Sequence, residues 1–235
     1  MTPDAAAEKR AAAGAALELV QRGMKLGLGT GSTAAEFVRL LAGRVRDGLD
    51  VIAVATSEAT AGLARSSGIA LGDLDDLAPL DLTVDGADEI GPGLALIKGG
   101  GGALLREKIV ACASERMVVI ADGSKLVGRL GAFALPVEIV RFAPATTMKA
   151  IDNALSGAGI GAGLRLRETE AGAIFVSDGN NLIVECACGA IDDPARAAAA
   201  LSAVTGVVEH GLFVGVAARA AVGLADGGVR WIERG

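Results

Sequence analysis

The sequence predicts an α/β protein: a mostly parallel sheet with helices on both faces, joined to a smaller α+β unit of split βαβ type. Three observations carry this. Short apolar runs alternate with helix-periodic runs through residue 125, those runs end in glycine, hydroxyl or acidic residues, and from about residue 135 the order becomes β-α-β-β-α-β. At 235 residues and 51% hydrophobic, the chain can bury the core of one large domain or of two modest ones.

In chain order, Thr2 and Pro3 read as N-cap and first residue of an opening helix. An acid ahead of its basic pair, with Glu18 inside its apolar part, fits a helix and not a secretion signal. A strand over 24–28 runs into Gly29-Thr30-Gly31-Ser32-Thr33-Ala34, and a helix follows over 35–41. A glycine turn opening a helix presents unpaired N–H groups at the positive end of the helix dipole, which suits an anion. The same loop matches the loose dinucleotide pattern G-x-G-x-x-A. A dinucleotide enzyme places an acid at the end of the next strand, but the strand over 51–55 ends in Thr56 and Ser57, with Glu58 one step later. That favours a small, hydroxyl-lined pocket. The acidic residues of 73–76 read as solvated surface in a connecting segment. A strand over 82–84 ends in Asp85-Gly86-Ala87-Asp88-Glu89, which fits a ligand site at a strand end and equally the chemistry of a turn.

The stretch over 94–114 organises the rest. An apolar run over 94–97 meets Lys98, then Gly99, Gly100, Gly101 and Gly102, then a helix carrying Arg106, Glu107 and Lys108. Four consecutive glycines oppose stability, since each loses more backbone freedom on folding than any other residue. They suit a close approach to the main chain, with Lys98 adding positive charge; the alternative is a flexible linker. At about 100° per residue, Glu107 lies central to a polar face opposite Leu105, Ile109 and Cys112. A solvated face and a cleft wall share that pattern. A strand over 117–120 then ends in Ala121-Asp122-Gly123-Ser124-Lys125, the fifth strand end of this polar or glycine type.

Beyond residue 135 the pattern predicts a strand over 137–142, a helix over 146–155, and strands over 164–166, 174–176 and 182–188, with a hairpin turn at Asp178-Gly179-Asn180-Asn181. Asp193-Pro194 opens an Ala-rich helix to residue 204, and a strand over 207–209 follows. The glycine-rich 157–163 reads as a connector and His210 as structural. The division is a larger Rossmann-like domain of 1–133 with 207–235, and a smaller ferredoxin-like α+β domain of 134–206.

Composition excludes several classes. A net charge of −6 with no basic block leaves a nucleic-acid partner without its main attraction, and aromatics at 3% with no Tyr argue against base-stacking platforms. No apolar run approaches the roughly 20 residues needed to cross a bilayer. Cys112, Cys186 and Cys188 are an odd set that reads as reduced core thiols of a cytoplasmic protein. With one His in the chain, a zinc site at Cys186 and Cys188 lacks ligands.

Several separated motifs then agree. GTGSTA (29–34), VDGADEI (84–90), IKGGGGALLREKIVA (97–111), ADGSK (121–125), LPVEI (135–139) and GVVEHGLF (206–213) together resemble the type A ribose-5-phosphate isomerases. The resemblance spans nearly the whole chain. It implies interconversion of D-ribose 5-phosphate and D-ribulose 5-phosphate, without metal or cofactor, by a cytoplasmic homodimer or higher homo-oligomer of the pentose phosphate pathway. It places the general base on Glu107 and the remaining catalytic groups on Asp85, Asp88 and Lys98. Substrate contacts fall on Thr30, Gly31, Ser32, Thr33, Asp85, Gly86, Ala87, Asp88, Lys98, Gly99, Gly100, Gly101 and Lys125, with Lys9 near a phosphate-reaching residue. Leu105 and the order of the 178–181 turn depart from the family pattern, away from the chemistry. Two other readings are a nicotinamide-dependent oxidoreductase and a sugar-phosphate-sensing module of a transcription regulator. The first lacks its ribose acid, and the second lacks spare length and basic charge for a DNA-binding segment.

Overall fold

A computed structural model of the chain describes residues 5–234, so the expected caps Thr2 and Pro3 lie outside the described residues. The chain first runs through α1 (Ala5–Leu17), β1 (Lys25–Leu28), α2 (Ser32–Arg46), β2 (Ile52–Ala55), α3 (Glu58–Ser66), β3 (Ala70–Leu71), α4 (Leu74–Leu77) and β4 (Leu82–Asp85). The short β5 (Glu89–Ile90) and β6 (Leu96–Ile97) precede α5 (Leu104–Cys112) and β7 (Met117–Asp122). Then come β8 (Leu135–Ile139), α6 (Pro144–Gly157), β9 (Gly163–Leu166), β10 (Leu182–Ala187), α7 (Pro194–Ser202), β11 (Val207–His210) and β12 (Leu212–Phe213). The antiparallel pair β13 (Ala217–Gly223) and β14 (Val229–Glu233) ends the described chain.

The chain forms two compact units. Among the described residues the first holds 5–87, 106–126 and 215–234, and the second holds 88–105 and 127–214. In the first, seven strands lie in the order β14-β13-β7-β4-β1-β2-β3, and every neighbouring pair except β13 and β14 is parallel. The strands read as near-continuous apolar runs because both faces are covered, and all six residues of β7 are buried. Alternation of side chains divides the core. Leu26, Leu28, Leu82, Val84, Val118 and Ile120 meet Ala12, Ala13 and Ala16 of α1 and Phe37, Val38 and Leu41 of α2 on one face. On the other, Val54 and Leu80 meet Val110 of α5, with Leu74 and Leu77 of α4 beside them. Strand order reverses between β1 and β4, and the loops leaving their carboxyl ends are where an open α/β sheet binds ligands.

In the second unit, β11-β8-β10-β9 form an antiparallel sheet. In sequence rank this is 4-1-3-2, the split βαβ arrangement expected from the β-α-β-β-α-β order beyond residue 135, with its last strand, β11, drawn from the 207–235 segment expected in the larger domain. Ile151 and Leu155 of α6 and Ala197 and Leu201 of α7 pack on its Val137, Ile139 and Val184. A three-stranded sheet, β12-β6-β5, completes this unit.

Several expected elements differ. The apolar run before the glycines contributes only β6, which pairs antiparallel with β5 and β12 and is not part of the parallel sheet. The chain turns back after Asp88: Asp88 N–H donates to the Ile97 carbonyl at 2.8 Å and Gly91 N–H to that of Ala95 at 2.8 Å, which closes a hairpin. Residues 88–105, 127–133 and 207–214 therefore cluster with the antiparallel strands. The strand expected over 137–142 is Leu135–Ile139, and Phe142 beyond it is exposed. The run over 174–176 makes only isolated bridges, to Glu168 and Leu182. Cys112 is exposed, not a core thiol.

Candidate active site

The β1 and β4 loops of the first unit are fastened by one carboxylate. Asp85, fully buried at the end of β4, accepts from Thr30 N–H at 3.0 Å and Gly86 N–H at 2.7 Å, both on Oδ1. Gly29 makes this possible, because a Cβ there would lie 2.0 Å from Asp85 Oδ1 and 2.5 Å from its Cα. Thr30 turns its hydroxyl inward, 2.8 Å from those of Thr56 and Ser57 and 3.2 Å from that of Thr60. Thr60 Oγ1 donates in turn to the Gly29 carbonyl at 3.0 Å. Ser57 Oγ, the N-cap of α3, accepts from Thr60 N–H at 3.1 Å. The hydroxyl-rich strand ends thus make a fixed base for the glycine loop.

α2 begins at Ser32, and its N-cap, Gly31 at φ 109°, has no side chain to satisfy the first N–H groups. Those amides face the loop at the positive end of a 15-residue helix. Lys9 from α1 brings its Nζ to 3.0 Å from Ser32 Oγ and 4.0 Å from Asp122 Oδ2. Lys125 lies in a turn of 3₁₀ helix (Gly123–Lys125) just past β7, capped by Asp122 through Ser124 N–H at 3.1 Å. Loop, helix end and lysines belong to one edge of the parallel sheet.

Glu107 is only 2% exposed. The expected apolar face of α5 is instead its outer one, since Ile109 and Cys112 are exposed while Leu104, Glu107, Val110 and Ala111 are buried. The helix register locates the acid. Ser114 just past α5 bridges to Leu80 ahead of β4, whereas a Cβ on Gly27, paired with Thr83 three residues further along, would lie 2.7 Å from Val110 Cγ1. α5 therefore runs against the strand direction, and Glu107, three residues before Val110, stands ~4.5 Å nearer the strand ends. That is the height of Gly29 and Asp85.

In the second unit, Lys98 is 2% exposed at the end of β6, with its Nζ 5.4 Å from the centroid of the Phe213 ring. Its N–H donates to the Gly211 carbonyl at 2.9 Å. Gly100 N–H donates to Asp88 Oδ2 at 2.7 Å, and Gly102 N–H to the Gly99 carbonyl at 2.9 Å. A Cβ on Gly100 would sit 2.4 Å from Asp88 Oδ1, so the carboxylate lies against the bare main chain. The glycines form a fixed bend and not a linker.

Thr30, Gly31, Ser32, Thr33, Asp85, Gly86, Ala87, Glu107 and Lys125 thus belong to the first unit; Asp88, Lys98, Gly99, Gly100 and Gly101 belong to the second. Sequence reading missed Thr60, whose hydroxyl reaches the Gly29 carbonyl from the first turn of α3, a contact across 31 positions. It also missed Arg167, whose guanidinium reaches the glycine bend from 68 positions away and which no local pattern marks. Among the described residues no group of three or more His, Cys, Asp or Glu side chains is placed to hold a metal ion. Nor is any helix there long and apolar enough to cross a membrane.

Residues 52–227 match the family model for ribose 5-phosphate isomerase A (phosphoriboisomerase A). The chain belongs to the ribose 5-phosphate isomerase A family. Ribose-5-phosphate isomerase A of Rhodopseudomonas palustris (strain BisB5) is 56% identical over 226 residues, covering 96% of this chain and 97% of that protein. The protein of that name from Nitrobacter hamburgensis is 56% identical over 234 residues, with both chains covered in full. Among solved structures, ribose 5-phosphate isomerase from Plasmodium falciparum superposes with a TM-score of 0.90 at 36% identity, covering 97% of each chain. A D-ribose-5-phosphate isomerase in complex with phospho-erythronic acid gives a TM-score of 0.88 at 36% identity, covering 96% of this chain and 97% of that one. The family match begins after the Gly29–Ala34 loop, which the relatives' longer alignments take in.

Proposed function

We propose that this chain interconverts D-ribose 5-phosphate and D-ribulose 5-phosphate through an enediolate, with Glu107 as the base that moves the proton. The observation that carries this reading is the burial of Glu107 on the inner side of α5, at the height of the ligand-binding strand ends. Family membership supplies the substrate pair and supports a cytoplasmic homodimer or higher homo-oligomer serving the pentose phosphate pathway.

In the open-chain aldose, Glu107 takes the proton from C2; the C–H electron pair becomes the C1–C2 double bond, and the carbonyl oxygen on C1 gains the negative charge. The proton of the C2 hydroxyl passes to that oxygen, and Glu107 returns its own proton to C1, leaving the carbonyl on C2. One carboxylate serves both carbons, a contribution of about 10²- to 10⁴-fold for a positioned base. Lys98 and the N–H groups of Gly99 and Gly101 meet the developing oxyanion, while the Gly100 N–H holds Asp88 in place. Asp85 and Asp88 take sugar hydroxyls and assist ring opening, with Gly86 and Ala87 lining that turn. Gly31, Ser32, Thr33 and Lys125 hold the phosphate together with Lys9, while Thr30 fixes their loop from beneath. Phosphate binding anchors the reacting carbons against Glu107.

The test is the variant Glu107→Gln, assayed for ketose formation from ribose 5-phosphate and for binding of the sugar phosphate by calorimetry. Turnover falls by at least about 10²-fold with binding retained; turnover within a few-fold of wild type refutes the assignment.

A further inference from the structure

We infer that Arg167 is a positioning residue that aims the amide groups of the glycine bend, acting through the main chain and not on the substrate. This rests on the reading of the bend as the oxyanion-binding element. Arg167 follows β9, and its own backbone is anchored on both sides: its N–H donates to the Ile183 carbonyl at 2.8 Å and its carbonyl accepts from Phe175 N–H at 2.9 Å. Its Nη1 donates to two successive carbonyls, Gly99 at 2.9 Å and Gly100 at 3.2 Å. Nε is held by Glu185, the two side chains being 11% exposed each, and the guanidinium lies 5.7 Å from the centroid of Phe175. Phe175 also props the far end of the bend, where a Cβ on Gly102 would lie 2.5 Å from its Cζ.

A trans peptide points its C=O and N–H in opposite directions. Two carbonyls drawn to one guanidinium therefore turn the next two N–H groups, those of Gly100 and Gly101, away from it. The Gly100 amide meets Asp88, which clamps that peptide plane from both sides. The Gly101 amide is set to the same side as a donor. Glycine resists no rotation of these planes by itself, so the orientation comes from the rigid fork of arginine, whose Nε is fixed on Glu185 while its Nη1 meets both carbonyls. The charge of Arg167 is balanced by Glu185 at close range, so its effect is on direction more than on field.

The test compares wild type with Arg167→Lys, which keeps the charge but loses the fork. A double variant, Arg167→Ala with Glu185→Ala, avoids a stranded buried acid. Kinetics on ribose 5-phosphate are read beside the Kd of phospho-erythronic acid, whose carboxylate stands in for the enediolate oxygens. An aimed donor acts on the developing charge, so kcat falls about 10-fold in the lysine variant and about 10²-fold in the double variant while KM stays within about threefold. Phospho-erythronic acid weakens by the same factors as kcat. A kcat within threefold of wild type in both variants, or KM and Kd weakening in parallel, overturns the inference. A wild-type protein inactive on ribose 5-phosphate instead overturns the function proposed above.

Discussion

Two glycine turns among the described residues lead from a strand into a helix; each is pinned by an aspartate on one of its amides, Asp85 on Thr30 and Asp88 on Gly100, and they differ in what holds the rest. The Gly29–Ala34 turn leaves a strand inside the parallel sheet and opens a four-turn helix, with its base held by the hydroxyls of Thr30, Thr56, Ser57 and Thr60. The turn over 99–102 leaves a two-residue antiparallel strand and is held by charged groups, Asp88 on an amide and Arg167 on two carbonyls. The first offers a row of helix-end amides beside Lys9, suited to a phosphate that keeps its charge throughout the reaction. The second offers Lys98 and aimed amides, suited to charge that appears only at the transition state. A glycine-rich sequence marks where the main chain is bare; the groups behind it set what the bare chain does.

This contrast can be broken kinetically. Lys98→Met is expected to lower kcat by about 10²- to 10³-fold with KM little changed, as for loss of a group acting on developing charge. Lys9→Ala, at the phosphate turn, is expected to raise KM about 10-fold and leave kcat nearly intact; the reverse pattern in steady-state kinetics would exchange the roles of the two turns. The glycines sharpen the comparison through stability. Gly29→Ala forces a methyl group against the Asp85 backbone, so it is expected to lose about 1–3 kcal/mol or more and melt several degrees lower. Gly100→Ala meets only the Asp88 carboxylate, which can swing aside, so thermal melting shifts less while activity falls.

The smallest effect concerns the thiols. Burial pushes the Cys186 thiol well up, with Cys188 and Glu185 adding to it, and burial raises Cys188 to about 11. At pH 8 a disulfide reagent is expected to titrate one thiol in the native protein, exposed Cys112, and three after denaturation. Because the folded pKa of Cys188 is above its ordinary 9.0, the stabilisation it gives is complete below pH 9 and is lost as pH rises toward about 11. Urea melts across that window measure the decline.

The sequence by itself determined the alternation of strands and helices, the split βαβ order of the second unit, and the places where glycine, hydroxyl and acidic residues gather. Those signals are local: periodicity, caps and turn residues depend on neighbours a few positions away. The tertiary structure decided what distance along the chain hides. Between the solvated face and the cleft wall that the pattern of α5 left open, packing over Gly27 and Thr83 decided: its register turns Glu107 inward and leaves Ile109 exposed. The apolar run before the glycines became a two-residue antiparallel strand, since the hairpin closed at Asp88 outweighs the pattern of a short run. Arg167 reached the bend only through the pairing of β9 with β10, a contact across 68 residues that no helical or strand period encodes.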